Sequence, residues 1–227
     1  YAARAETVID EWRALATPQP LFMWLGPSNP HAGSNATPAR YRNDFRTWEP
    51  IWLPSFNEAD VSDKPAAIRK TPPFDNTVIT RIRTSERIRL RQIKANDDLV
   101  DRVLTALGAD LANTIVIYTS DNGYMRGEHR IAGEKSVPYE ESVKAPMVIA
   151  GPGIPVNHTI DRVTSGTDLC PTLLALAGAT PGRAQDGVSL LDYLDDPLAH
   201  QTRAVLRSEE HTSELQSLAY LVCRLLL

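Results

Sequence analysis

Apolar residues recur along this chain in two patterns, one with helical spacing and one as short unbroken runs. An apolar stripe predicts a helix over 5–16, and a longer stripe predicts a helix over 80–107 that ends at Gly108. Short runs of strand length occupy 20–26, 115–118 and 146–150, and a capped helix is predicted over 167–178. Helices that alternate with buried strands indicate an α/β fold with a mostly parallel central sheet flanked by helices.

Polar side chains follow two of the predicted strands at the point where each strand ends. Asp121 and Asn122 come directly after the run 115–118, with His129 and Lys135 a little further on, and His31 follows the run 20–26. Ligands of open α/β sheets bind at the carboxyl ends of the strands. Oxygen donors beside cationic side chains therefore indicate a site for a metal and an anion at this edge.

Charge and cysteine content narrow the possible functions. The net charge of −4 is mild, which argues against non-specific nucleic-acid binding. Five arginines between Arg81 and Arg91 fit a solvated helix face better than a polyanion site. Asp97 and Asp98 are adjacent on the predicted helix. Because the side chains of neighbouring helical positions point about 100° apart, these two carboxylates are not expected to bind the same ion.

The last stretch of the chain, 207–227, has a different character. It resembles one reading frame of a sequencing-library adapter, and we interpret it as an artefact rather than as part of the fold. The alternative is an amphipathic C-terminal helix. A membrane span is a poorer explanation, because the apolar part, 218–227, is half as long as the roughly 20 apolar residues that a span needs. Its two arginines and three glutamates change the net charge to −3 when they are left out, and Cys170 is then the one cysteine, so no internal disulfide is expected.

Several ordered motifs resemble the sulfatase family of the alkaline phosphatase superfamily. They are Ser120–Tyr124, Gly127–Arg130, Lys135, Pro138–Glu141 and Pro146–Gly153. Two further stretches, 20–31 and 167–178, are similar to segments of the same family, and 54–65 is similar to a segment of N-acetylglucosamine-6-sulfatase-like members. As a whole the chain resembles N-acetylglucosamine-6-sulfatase-like and arylsulfatase members. The resemblance implies an alkaline-phosphatase-like sandwich that is incomplete at its N-terminus, with 1–197 as the second half of a catalytic domain and 198–206 as a truncated continuation.

The resemblance also implies roles for individual residues. Asp121 and Asn122 would bind Ca²⁺, Lys135 would contact the sulfate oxygens, and His31 would contact the sulfate ester and protonate the departing alcohol. For His129, substrate contact and bracing of its loop remain equally open. Met125 stands where many members have a histidine, so one polar substrate contact is expected to be absent.

The nucleophile implied by the family is a formylglycine made from Cys or Ser, and its motif is missing from this chain. Cys170-Pro171-Thr172 does not match the spacing of Cys-x-Pro-x-Arg, so we expect Cys170 to be a buried structural thiol. The expected parent is a sulfatase that acts on a sulfated sugar or aryl alcohol, while the chain by itself is expected to be inactive. A phosphodiesterase or phosphonate hydrolase of the same superfamily and a non-catalytic relic are the alternatives. A secreted, periplasmic or lysosomal location is expected from the family.

The irregular segment over 37–73 is rich in Pro, Asn, Asp and Trp. Long loops without secondary structure are usually functional in compact domains. We therefore expect this segment to cross the face of the site and to select the substrate.

Overall fold

A computed structural model describes residues 1–31, 37–205 and the backbone of 219–225. Its helices are α1 Ala2–Arg13, α2 Ala66–Arg69, α3 Asn76–Leu107, α4 Glu140–Val143, α5 Leu169–Leu176 and α6 Asp192–Asp195. Its strands are β1 Phe22–Leu25, β2 Thr114–Ser120, β3 Met147–Ala150 and β4 Ala219–Leu225. Within the described ranges, no helix is both long enough and apolar enough to cross a bilayer.

The long predicted helix is confirmed and extends further toward the N-terminus than its apolar stripe indicated. Asp75 caps α3, and its carboxylate accepts a hydrogen bond from the Val78 N–H at 2.9 Å. The helix ends at Gly108, whose φ of 51° lies in the left-handed region that glycine tolerates. The first predicted helix is also present as α1, shifted toward the N-terminus by a few residues.

The described strands form one sheet in the order β1-β4-β2-β3. Because β1 and β2 are both antiparallel to β4, they run in the same direction, as expected for the two strands that precede the polar turns. Parallel pairing was expected between neighbouring strands. Among the described strands, however, every hydrogen-bonded pair is antiparallel. For β2 and β3 the cause is the connection, which leaves and returns at the same edge, whereas parallel pairing needs a crossover.

Helices cover both faces of this sheet. Ile115 and Ile117 of β2 point to one face and pack with Leu169 and Leu173 of α5. Val116 points to the other face, where Ile9 of α1 and Val103 of α3 form the larger core cluster. This alternation follows from the two-residue period of a strand. Each fully buried aliphatic side chain contributes about 1.5–3 kcal/mol, so both helical layers stabilise the strand that carries the site.

The basic side chains of α3 hold the preceding loop. Arg87 donates to the Trp48 carbonyl at 2.8 Å and to Glu49 at 2.7 Å. Arg91 donates to the Asp44 carbonyl at 2.7 Å, and Lys94 pairs with the Asp44 carboxylate at 2.6 Å. These contacts give the arginine-rich part of α3 a structural role in fixing the loop before α2.

The prediction of a buried Cys170 is wrong, because its thiol is exposed. Leu169, Leu173 and Leu176 form the face of α5 that packs on the sheet, and the next position along a helix is rotated by about 100°. Cys170 therefore lies beside that face and lines an apolar groove of about 620 Å³ with Trp24 of β1.

A buried ion pair joins α5 to the last described residues before β4. Asp168 has no exposed surface and accepts two hydrogen bonds from the Arg203 guanidinium, each 2.7 Å long. The same carboxylate accepts from the backbone N–H groups of Ser165 and Val188 at 2.8 and 3.0 Å. The domain boundary predicted near Pro197 stays a prediction, and this contact crosses it.

The adapter-like stretch is described in part. Its residues 207–218 and 226–227 lie outside the described ranges, whereas the backbone of 219–225 forms β4 between β1 and β2. The origin proposed for this stretch stays a prediction.

Candidate active site

The turn after β2 is packed against the short helix α4. The Gly123 N–H donates to the Ser142 carbonyl at 2.7 Å. A Cβ atom at Gly123 would lie 2.1 Å from the Glu141 carbonyl oxygen, which is far inside contact distance. Glycine is therefore required here by the close approach of the two backbones, and the Asp121-Asn122 pair is fixed at the end of a buried strand.

Asp121 and Asn122 present oxygen atoms suited to a hard cation. Asp121 is exposed, and Ser120 Oγ lies 3.4 Å from its Oδ1. The Asn122 side chain donates through Nδ2 to the Gly123 carbonyl at 2.6 Å, which uses its nitrogen in the turn. A carboxylate with an amide oxygen fits Ca²⁺ chemically, although Ca²⁺ takes about six to eight oxygen ligands and these two residues supply a minority of them. Across the described ranges, no group of three or more His, Cys, Asp or Glu side chains is arranged to hold a metal.

The short helix α4 is hydrogen-bonded both to Lys135 and to the Asp121-Asn122 turn. The Lys135 backbone N–H donates to Glu134 Oε1 at 2.8 Å, and the Lys135 carbonyl accepts a hydrogen bond from the Ser142 hydroxyl. Ser142 is almost fully buried, and it also accepts from Gly123 through its carbonyl. One residue thus joins the turn of Asp121 to the backbone of Lys135. Ser142 lies inside α4, and nothing in the sequence pattern singled it out.

His31 reaches the same edge of the sheet from β1. Leu25 of β1 and Tyr118 of β2 are both paired with Leu221 of β4, so the two strands end at similar heights about 10 Å apart. The turn between β1 and His31 is held by α3, since the buried Asn96 side chain donates to the Asn29 carbonyl at 3.0 Å. The His31 N–H donates to the Ser28 carbonyl at 2.9 Å, which closes the turn.

His129 is surrounded by acidic and aromatic side chains. Its Nδ1 lies 2.8 Å from Glu58 Oε2, its Nε2 lies 4.0 Å from Glu141 Oε2, and its ring is 4.6 Å from that of Tyr139. The hydrogen bond with His129 holds the pKa of Glu58 below its ordinary value, against the opposing effect of burial, and Lys64 lowers it further. These contacts tie His129 to the loop that precedes α2.

Met125 is fully buried and cannot contact a substrate. Its backbone N–H donates to the Glu134 carbonyl at 2.8 Å, which closes the loop between the Asp121-Asn122 turn and Lys135. The side chain at this position therefore stabilises the loop through packing.

Comparison with known proteins agrees with this architecture. The solved structure of yidJ from Bacteroides fragilis, a protein classed with the sulfatases, superposes with a TM-score of 0.60 over 87% of this chain and 40% of that one. At 24% identity this similarity shows the fold, which is the alkaline-phosphatase-like α/β fold.

The sequence comparisons identify the family. The Sulfatase family profile matches residues 2–179. An arylsulfatase of Volvox carteri is 35% identical over 212 residues, which cover 81% of this chain and 33% of the relative. N-acetylglucosamine-6-sulfatase of Bos taurus is 32% identical over 182 residues, covering 78% of this chain and 32% of the relative. The chain belongs to the sulfatase family, and it spans about a third of the length of these two relatives.

Proposed function

We propose that this chain is the second half of a sulfatase catalytic domain and that the complete domain hydrolyses sulfate esters. The supporting observation is the arrangement around α4, where Ser142 joins the Asp121-Asn122 turn to the backbone of Lys135. His31 reaches the same sheet edge from a strand that runs in the same direction. An oxygen pair can bind a cation, an ammonium group can stabilise an anion and an imidazole can transfer a proton, and cleavage of a sulfate ester uses all three functions besides a nucleophile.

Each of these side chains has a defined task in the proposed reaction. Lys135 holds the sulfate oxygens and stabilises the negative charge that grows as the bond between sulfur and the ester oxygen breaks. His31 gives a proton to the departing alcohol oxygen, for which an imidazole is suited near neutral pH. Asp121 and Asn122 would hold Ca²⁺ together with further oxygen ligands, and the ion would supply positive charge beside the sulfate group.

The attacking group is proposed to be a hydroxyl oxygen of a hydrated formylglycine, carried by the part of the relatives that this chain does not span. The substrate is proposed to be a sulfated sugar or an aryl sulfate, because the matched relatives are named as an N-acetylglucosamine-6-sulfatase and an arylsulfatase. By itself the present chain is then proposed to be inactive.

The test begins by sequencing the source locus upstream of Tyr1 and expressing the complete frame in a host that makes formylglycine. We expect a Cys-x-Pro-x-Arg or Ser-x-Pro-x-Arg motif and hydrolysis of 4-nitrocatechol sulfate or N-acetylglucosamine 6-sulfate. Preferential cleavage of a phosphodiester or phosphonate ester would favour the other hydrolases of the superfamily. A complete frame without either motif would exclude the formylglycine mechanism.

Two substitutions test the site in the complete protein. Asp121→Ala is expected to remove the stabilisation by Ca²⁺ in thermal unfolding, because a ligand that binds only the folded state raises its stability. Lys135→Ala is expected to lower kcat by about 10²–10³-fold, the usual cost of losing a charge-stabilising donor. Lys144→Ala is the matched control, since Lys144 lies at the end of α4 and is exposed. Equal kinetics for the two lysine variants would contradict the role of Lys135.

A further inference from the structure

The segment that precedes α3 is attached to the loop that carries Lys135. The Asn57 N–H donates to the Gly127 carbonyl at 2.8 Å, and the His129 N–H donates to the Ser55 carbonyl at 2.8 Å. Phe56 and Glu128 form an isolated β-bridge between the same two stretches. The two stretches therefore form a short antiparallel contact outside the main sheet.

Arg130 fastens this segment at two separated points. Its guanidinium donates to the carbonyl oxygens of Glu58 at 2.8 Å, Ala59 at 2.7 Å and Thr71 at 3.0 Å. Both His129 and Arg130 have positive φ values, 52° and 60°, which are uncommon for residues other than glycine. With this backbone conformation, both side chains contact the segment. A guanidinium can serve three acceptors in one plane, whereas an ammonium group has a different geometry.

His129 adds a side-chain contact to the same segment, and Gly127 allows the close approach. His129 Nδ1 lies 2.8 Å from Glu58 Oε2, and Lys64 Nζ lies 3.5 Å from that same oxygen. A Cβ atom at Gly127 would lie 2.4 Å from the Phe56 ring, which itself stacks on Trp52 with ring centroids 3.9 Å apart. The stacked rings of Trp52 and Phe56 therefore pack against the loop at Gly127.

We infer that Arg130 and His129 form a clip that fixes the segment 54–73 against the loop carrying Lys135, and that Arg130 is a positioning residue for substrate selection. The inference rests on the proposed function and on the expectation from the sequence that the segment 37–73, which includes 54–73, selects the substrate. Few residues separate Arg130 from Lys135 along the loop. The loop is closed by two hydrogen bonds, from the Gly127 N–H to the Ile131 carbonyl and from the Met125 N–H to the Glu134 carbonyl, next to Lys135. A displaced segment would therefore change how a sugar is presented to Lys135 without removing that cation.

Hydrogen exchange on the 227-residue chain tests the clip without requiring catalysis. Arg130→Ala is expected to accelerate exchange of the amides in 57–74 by about tenfold, since local opening becomes easier when charge-assisted hydrogen bonds are lost. Amides of α3 should keep their rates. Arg126→Ala is the matched control, because Arg126 lies in the same loop but contacts Glu86 of α3 at 3.4 Å. Equal rates in 57–74 for both variants, or acceleration that includes α3, would overturn the inference.

Conservative variants separate the two members of the clip. His129→Asn can place an amide N–H donor near the position of Nδ1, which contacts Glu58, and should preserve protection, whereas His129→Ala should lose it. Arg130→Lys should protect less than arginine, because one ammonium group does not reproduce the three-acceptor geometry. Equal acceleration in the two His129 variants would remove His129 from the clip, and full protection in Arg130→Lys would refute the geometric role of the guanidinium.

Kinetics of the complete enzyme test the link to specificity. Arg130→Ala should raise KM for N-acetylglucosamine 6-sulfate by about tenfold and leave kcat for 4-nitrocatechol sulfate within about twofold, the pattern of lost substrate binding. Equal effects on both substrates would refute the role in selection. Absence of sulfatase activity in the wild-type enzyme would instead contradict the proposed function, and the exchange result would still decide whether the clip exists.

Discussion

The buried pair of Asp168 and Arg203 allows a sharp test of how this chain is stabilised. Asp168→Asn keeps the shape of the side chain but removes its charge and replaces one acceptor oxygen with an NH₂ donor. That donor would face the Arg203 guanidinium or the backbone N–H groups of Ser165 and Val188, all of which need acceptors. Arg203, with 14% of its side chain exposed, would lose its carboxylate partner.

The expected loss is large because both charges are withdrawn from water. Removing one partner of a buried ion pair costs about 3–5 kcal/mol, compared with about 5–15 kcal/mol for the whole stability of a typical domain. Urea unfolding followed by circular dichroism measures this loss. Asp192→Asn is the control, because Asp192 pairs with His200 at 2.8 Å but keeps 46% of its side chain exposed, and exposed pairs contribute about 0–1 kcal/mol. A loss below about 1 kcal/mol for Asp168→Asn would refute the reasoning.

The same pair predicts a dependence of stability on pH. Burial alone would raise the pKa of Asp168, but the hydrogen bonds from Arg203, Val188 and Ser165 outweigh it and hold the pKa below its ordinary value. A lowered pKa in the folded state stabilises the protein above the unfolded value of about 3.9, and this stabilisation is lost as the pH falls through the folded value. The difference in unfolding free energy between wild type and Asp168→Asn should therefore shrink below about pH 4. A constant difference would contradict the charge-based explanation.

Two further substitutions test the packing around the site. Gly123→Ala should destabilise the chain by about 1–3 kcal/mol in thermal unfolding, because its Cβ would collide with the Glu141 carbonyl. Gly182→Ala is the control and should be neutral, because a Cβ atom there has open space. Equal effects of the two substitutions would contradict the close approach at Gly123. Leu107→Ala should cost about 2–5 kcal/mol in urea unfolding, because this last residue of α3 is fully buried in the larger core cluster. Leu111→Ala, at a residue that is 36% exposed, should cost less, and a reversed order would be inconsistent with the described core.

Local patterns were sufficient to predict the secondary structure that surrounds the site. The run 115–118 lies within β2, and the stripe over 80–107 lies within α3, because hydrophobic period and capping residues act over a few turns of chain. The arrangement of strands was less accessible, since no local signal specifies that 219–225 pairs between β1 and β2. The exposure of Cys170 was also missed, because a mostly apolar helix has no polar face to show which side packs on the sheet.

The residues proposed to carry chemistry are easier to recognise in the sequence than those that position them. Asp121, Lys135 and His31 have side chains whose types indicate ion and proton chemistry, and each follows a strand. Ser142 and Arg130 act through backbone carbonyl groups, and nothing in their spacing marks such contacts. Gly123 and Gly127 were the available signals, because glycines in a loop between buried elements can indicate close backbone approach.

The central position of β4 has a practical consequence for producing the protein. Among the described strands, β1 pairs only with β4, so the segment 219–225 provides every strand-to-strand link between β1 and β2. An affinity tag or a fluorophore inserted within 219–225 would therefore interrupt the middle of the sheet and separate β1 from β2.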